Sequence, residues 1–432
     1  MTGPRTSNDQ DVVIVGGGLA GVAAARRLHR AGIPWRLVEA ADRLGGRVAT
    51  DVVDGYRLDR GFQVLNTAYP RLGTLLDLAT LNLGFFTSGV LVRRGEHLHR
   101  LANPLREPVT AGRTALAGVG SLADRLRFAA LATRYATASP ARLLAEPEVD
   151  AERALRRAGL SDAFVEELLR PFLSGVLAER ELATSSHVLA MILRSFARGR
   201  IGLPADGMAA LPRAIAAPLP TSLIDLGTRV TAVAPGLVRT TGGELRCRAV
   251  LVAVDPPTAI RLLPALDPVR THSLTTYYHC TAEPPLDEPI LLLDGDRREL
   301  VANTVVPSRA APTYAPAGRH LVATSVVGAA AQPEPLIRAE LARLYGRPTA
   351  DWNHLETVSI PDALPAAPPP RGRLRRPVTL GDGLYVAGDH RDSPSIQGAL
   401  ASGWRAAGAI IAALRRPSAQ PWRPRTVTGR RP

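Results

Sequence analysis

Lysine is absent from this sequence of 432 residues, so all 53 of its permanently cationic side chains are arginines. Compositional bias of a GC-rich genome explains that better than a partner does. The formal net charge of +14 stays compatible with acidic lipid or an anionic substrate. Aromatic residues make up only 4% of the chain, and no basic block carries interleaved aromatics, so nothing supports a nucleic-acid partner and none is expected. Cysteine occurs twice, at Cys247 and Cys280, in strand-like apolar surroundings; a disulfide framework is not supported and buried thiols are expected. His97, His99 and His187 have no partners at metal-ligand spacing, so they are read as structural and no metal is expected. No apolar run reaches about 18 residues, which excludes a spanning helix, and no signal-peptide pattern precedes the first strand. A soluble, cytoplasmic protein is expected, with a peripheral membrane contact left open.

What is present is globular: 46% hydrophobic and 21% charged residues, with 38 glycines and 37 prolines that imply many turns. The length suits two or three domains. The chain is organised around Asp11 to Arg47, DVVIVGGGLAGVAAARRLHRAGIPWRLVEAADRLGGR. The β-branched run from Val12 to Val15 suits a strand buried on both faces. Gly16, Gly18 and Gly21 stand on GxGxxG spacing between that strand and a helix expected from Ala20 to His29. Gly16 permits the tight turn, Gly18 lets a pyrophosphate approach the backbone, and Gly21 lets helix and strand pack closely. Amides at the helix start, with the helix dipole, hold the phosphate charge. A second strand, Trp35 to Val38, leads to Glu39, 18 residues past Gly21, where an acid accepts ribose hydroxyls and disfavours a 2′-phosphate.

Further along, Asp54-Gly55 reads as a hairpin turn, and Gly89 to Leu101 as a hairpin turning at Arg94-Gly95. From Ser121 to Arg198 the pattern is helical. Asp150 and Ser161 stand as caps, Pro171 is expected to kink or end its helix, and Ser186 opens another that runs to Ala197. Strands are expected at Ser222 to Leu226, Arg229 to Ala234, Gly236 to Thr240 and Leu245 to Val254, then at Ser273 to Thr281, Ile290 to Leu293, Leu300 to Val306 and His320 to Val327. A helix is expected near Glu334 to Leu344 and a proline-rich connector at Ala363 to Pro370.

The last ordered stretch, LYVAGDHRDSPSIQGALASG from Leu384, runs a buried strand into Gly388-Asp389, then a loop, then a helix from Gln397 to Leu414. Asp389 can accept hydrogen bonds from a sugar-alcohol chain, and the amides of Ile396, Gln397 and Gly398 can stabilise negative charge. With VVIVGGGLAG, VEAADRLGGR, GTRVTAV and VLVAVDPP, this chain resembles the FAD-dependent amine oxidase superfamily, which includes monoamine and polyamine oxidases, protoporphyrinogen oxidase and phytoene desaturases. RPFLSGVLAERELATSS and GLPADGMAALP resemble the desaturase and protoporphyrinogen oxidase side.

The resemblance implies an α/β protein: a discontinuous Rossmann-like FAD-binding domain of glutathione reductase type, a mixed substrate domain and an all-helical insertion. The FAD-binding parts are expected at 10–75, 201–268 and 371–416, the substrate parts at 76–200 (with the insertion) and 269–370, and a disordered basic tail at 417–432. It implies non-covalent FAD, since no cysteine follows Cys280. Gly16, Gly18, Ala20 and Gly21 would hold the pyrophosphate, and Glu39, beside Ala40, the adenosine ribose. Gly45, Gly46 and Arg47 would line the phosphates and flavin. Val230 would meet adenine, Asp389 the ribityl–phosphate region and Ile396 the flavin O2, with Gly61 and Gln63 passing the ring.

Departures from the pattern bear on the reaction. Monoamine and polyamine oxidases place a lysine near flavin N5, and this chain has none. Where they carry an aromatic cage, His390, Arg391 and Asp392 stand; Arg391 beside the flavin would repel an amine. His390 is the sharpest candidate base against a packing role. Arg391 and Asp392 would form an ion pair or bind a carboxylate, and Tyr277 or Tyr278 would at most put one ring in a pocket. A single dinucleotide fingerprint implies that substrate, not NAD(P)H, reduces the flavin. The reading is a dehydrogenase or desaturase of a small apolar or carboxylated molecule, reoxidised by oxygen or another acceptor. An amine or amino-acid oxidase and a non-redox flavin-binding isomerase are the alternatives.

Overall fold

The computed structural model describes residues 9–102 and 118–416; the basic tail expected at 417–432 lies outside them. The β-branched run forms the strand Asp9–Val15, with Val12, Val13 and Ile14 wholly buried. Trp35–Val38 and Gly243–Val252 flank it in parallel. Ile224–Asp225 pairs beyond Trp35–Val38. On the far side, the first half of Gly243–Val252 pairs antiparallel with Leu237–Thr240, which pairs with Val230–Ala234. The second half pairs in parallel with Leu384–Val386, and Thr379–Gly381 follows. Strands from the beginning, middle and end of the chain thus complete one eight-stranded sheet. The strand expected from Ser222 is cut to two residues, because Thr221–Leu223 coils into a 3₁₀ turn after Pro220.

Helices cover both faces of this sheet: Leu19–Arg30 and Ile396–Leu414 lie on one, and Pro256–Leu262 lies on the other against Val13, Val15 and Val252. Leu19–Arg30 packs against Ile396–Leu414 through small residues: a Cβ on Gly403 would stand 2.0 Å from Ala20 O. That contact ties the glycine-rich turn to the C-terminal segment.

A second, seven-stranded sheet runs in the order Asn353–Pro365, Thr271–Thr281, His320–Val327, Asn303–Val305, Leu291–Asp294, Gly89–Arg94, His97–Ala102. Its thirteen-residue edge strand, Asn353–Pro365, was not expected and takes in the first three residues of the connector expected at Ala363 to Pro370, leaving 366–370 irregular. Two prolines, Pro361 and Pro365, mask it in the sequence, and an edge strand tolerates them.

The helical block comprises Leu122–Thr137, Pro140–Leu144, Ala151–Arg157, Asp162–Phe164, Arg170–Leu177 and Ser186–Arg198. Asp150 and Ser161 cap as expected, accepting from Arg153 N at 2.7 Å and Phe164 N at 3.2 Å. Ser185, one residue earlier than expected, caps the Ser186 helix. Pro171 neither ends nor breaks its helix. A π-helical turn, Val165–Leu169, precedes it and lets the chain run on into Arg170–Leu177. Among the described residues no helix is long and apolar enough to cross a membrane.

Candidate active site

The turn after Asp9–Val15 opens onto a cavity of about 2220 Å³. Single-ligand pockets hold roughly 300–1,000 Å³, so this one has room for a dinucleotide and a second molecule. Gly16 adopts φ +103°, and a Cβ there would stand 2.7 Å from Ala253 O. A Cβ on Gly21 would stand 1.9 Å from Gly16 O, so only glycine allows this helix to start so close to its strand. A Cβ built on Gly18 would meet nothing within 4 Å, which leaves that side of its backbone open to a ligand. The ADRLGGR segment folds over the turn: Gly45 N donates to Gly17 O at 2.9 Å. Glu39 reaches the same point, Oε2 accepting from Gly17 N at 2.6 Å and Oε1 from Ala41 N at 2.8 Å.

Arg47 joins the outer parts of the chain. Its Nη2 lies 2.7 and 2.8 Å from the Asp389 oxygens, and Nη1 donates to Ala363 O at 2.7 Å. Burial works against its charge, but Asp389 outweighs that and raises the guanidinium above its ordinary value. Gln63 donates through Nε2 to Arg47 O at 2.9 Å and Arg60 O at 3.1 Å, which leaves its Oε1 buried without a partner among the described residues. Gly61 adopts φ +87° beside Ile360. Of the fourteen residues named from the sequence, Gly16, Gly18, Ala20, Glu39, Ala40, Gly45, Gly46, Arg47, Gly61, Gln63, Val230, Asp389 and Ile396 line this one cavity. Gly21 lies behind it, spacing helix from strand. The Gly398 amide is taken by its own cap, Ser395 Oγ at 3.0 Å, and is not free to meet a ligand charge.

These features fit FAD on grounds independent of ancestry. A turn that excludes any Cβ faces open space at Gly18, a buried carboxylate carries its own counter-charge, and an orphaned amide oxygen waits for a donor.

The residues beyond Asp389 differ from expectation. His390 is 3% exposed, does not line the cavity, and neither ring nitrogen has a partner among the described residues. Burial pushes its pKa down to about 4, so it is neutral packing and not the base. Arg391 also turns away from the cavity and donates through Nε to Pro377 O at 3.1 Å. It repels nothing beside the flavin. Asp392 does line the cavity, but its partner is Arg405 at 3.2 Å, not Arg391. Tyr277 and Tyr278 are both core: their hydroxyls donate to Gln332 O at 2.7 Å and Asp59 O at 2.5 Å.

Sequence reasoning missed the other end of the cavity. Phe62, Phe86, Phe128, Phe164, Phe172 and Phe196 line it, six of the seven phenylalanines in the chain. Arg125, Arg194, Arg198 and Arg200 stand among them. Arg194 is held by the carbonyls of Tyr135, Ala136 and Ala138, and Arg200 lies 3.6 Å over the Phe85 ring. No described lining residue of the helical block is acidic. Scarcity of aromatics was the signal available: so few rings, recurring through one helical block, mark a shared wall.

The model of the family described as flavin containing amine oxidoreductase matches residues 19–411. Pseudooxynicotine dehydrogenase of Pseudomonas sp is 42% identical over 73 residues, 17% of this chain and 15% of that protein. Coproporphyrinogen III oxidase of Mycobacterium bovis is 27% identical over 289 residues, 60% of this chain and 62% of that one. The matches thus span less than two thirds of these relatives. A solved structure titled putative protoporphyrinogen oxidase, from Exiguobacterium sp. 255-15, covers 95% of this chain and 100% of its own with TM-score 0.70 at 22% identity. Putrescine oxidase bound to putrescine gives TM-score 0.69 at 18% identity, covering 94% and 99%. The fold, the cavity and the matched span together make this chain a member of the flavin-containing amine oxidoreductase family, with FAD as its cofactor.

Proposed function

We propose that this protein is an FAD-dependent oxidoreductase that dehydrogenates an apolar, carboxylate-bearing substrate of porphyrinogen type. The observation that carries this reading is the substrate end of the cavity, where phenyl rings and arginines meet and no described helical-block residue that lines it is acidic. Guanidinium groups pair with carboxylates in fixed geometry, and the rings exclude water from the reacting centre. The coproporphyrinogen III oxidases among the relatives support the same class.

Gly16, Gly18 and Ala20 would hold the pyrophosphate, Glu39 and Ala40 the ribose, and Val230 the adenine. Arg47 with Asp389 would hold the ribityl–phosphate region; Gly45 and Gly46 would flank it, and Gly61, Gln63 and Ile396 would follow the ring. The bound flavin supplies the two-electron chemistry; oxygen or another acceptor then takes the electrons. The protein's own part is to bind, orient and dry the substrate. No base is assigned to it.

An amine or amino-acid oxidase is the second reading. It gains from the position of Arg391, which is turned out of the cavity and so offers an amine no repulsion. Anaerobic mixing of the yellow protein with porphyrinogens, polyenes, amines and amino acids decides between them. Bleaching by a porphyrinogen is expected. Bleaching by simple amines alone overturns the first reading, and isomerisation without bleaching overturns both.

A further inference from the structure

The seven-stranded sheet carries a row of short polar residues towards the cavity. Asn303 lies opposite Ser325, and Ser325 opposite Thr276, on three neighbouring strands. Directly opposed residues point to the same face of a sheet. Thr276 shows which face: its Oγ1 accepts from Phe62 N at 3.3 Å, and Phe62 lines the cavity. Thr304, the next residue, points the other way, to Tyr345 Oη at 2.9 Å and Thr324 Oγ1 at 3.1 Å. Asn303 therefore faces the cavity, two strand spacings, or about 10 Å, from Thr276, which touches the loop that carries Phe62 and Gln63.

Asn303 is 5% exposed and lines the cavity, yet its Oδ1 has no hydrogen-bond partner among the described residues. Gly175, on the helix Arg170–Leu177, makes room for it: a Cβ there would stand 1.8 Å from Asn303 Nδ2. The nearby wall is apolar, with Val176 and Leu291 also lining it. An amide oxygen left unbonded in such a wall is unfavourable until something supplies a donor.

We infer that Asn303 is a specificity residue whose amide oxygen accepts a hydrogen bond from a pyrrole-type N–H of the substrate. This rests on the porphyrinogen-type reading above. A pyrrole is an apolar disk with one neutral donor, the complement of an apolar wall with one neutral acceptor. A carboxylate would set lone pairs against lone pairs, and an ammonium would require a counter-charge that this wall lacks.

The test uses FAD-loaded protein titrated without oxygen with a dipyrrylmethane dicarboxylate and with its difurylmethane analogue, followed by the shift of the flavin absorption band. The analogue keeps the carboxylates and the shape but carries a ring oxygen in place of each N–H. Wild-type protein is expected to bind the pyrrole probe about tenfold more tightly than the furan analogue. Asn303→Leu should bring the pyrrole probe down to the level of the furan analogue and leave the analogue within about twofold. Asn303→Asp keeps an acceptor oxygen and should keep the preference. Gly175→Ala, which displaces the amide, should behave as Asn303→Leu. Equal weakening of both probes in Asn303→Leu would mark a packing role, and no preference in wild-type protein would mark a water as the partner. Either result overturns the assignment and leaves the substrate class standing. If wild-type protein binds neither probe, the substrate class falls and the assignment with it.

Discussion

Arg47 and Asp389 are 342 residues apart in the chain and form an ion pair in the lining of the cavity. Asp389 is 4% exposed, so removing its partner strands a buried charge. Arg47→Met is expected to cost about 3 kcal/mol of stability and to leave less than half the flavin bound, read from denaturation and from the visible spectrum. His390→Leu is expected to do the opposite of what a lost base would do. The ring is neutral and turned from the cavity, so flavin content and turnover should stay within about threefold, and the pH–rate curves should superimpose between about pH 5 and 8. Asp59 is a second buried carboxyl whose charge matters for stability. It is buried and accepts from Thr50 Oγ1 at 2.5 Å, Met208 N at 2.9 Å and Tyr314 Oη at 2.7 Å. Burial still lifts its pKa from 3.8 to about 6. A carboxyl whose folded pKa is raised favours the folded state fully below its unfolded pKa, and that contribution is lost as pH rises through the folded value. Asp59 should therefore remove about 3 kcal/mol between pH about 4 and about 6. Asp59→Asn should flatten that part of the stability curve, as followed by denaturant titration.

Strand–turn–helix elements were the most legible part of the chain, because each rests on a local rule. The GxGxxG turn needs no tertiary knowledge: Gly16 at φ +103° and a Gly21 whose Cβ would stand 1.9 Å from Gly16 O are what the spacing implies. These glycines should also separate by element. Gly18→Ala meets open space and should melt within about 2 °C of wild type while binding FAD at least tenfold more weakly. Gly21→Ala forces the helix off its strand and should lower both stability and FAD binding. Elements that depend on long-range pairing were less legible. The edge strand Asn353–Pro365 hides behind its prolines, since only its place in the sheet makes them harmless. The π turn before Pro171 hides because one extra residue in a helix leaves no compositional mark.

Across the whole molecule, the dinucleotide end of the cavity could be read and the substrate end could not. The first is built by backbone, so glycine spacing reports it. The second is built where rings from the helical block share one lining with Phe62 and Phe86, and no single stretch holds that pattern. His390 and Arg391 misled for a related reason: adjacency to Asp389 fixes their place along the chain, but the 3₁₀ turn Asp389–Arg391 directs them away from the cavity. The central claim is that three separate segments close on one FAD through backbone amides, Glu39 and the Arg47–Asp389 pair, with no lysine involved. Flavin titration of the purified protein, stripped and then reloaded, tests it most directly. One FAD per chain, released by heat or acid without covalent residue, is the expected result; a colourless protein that takes up no added FAD contradicts the account.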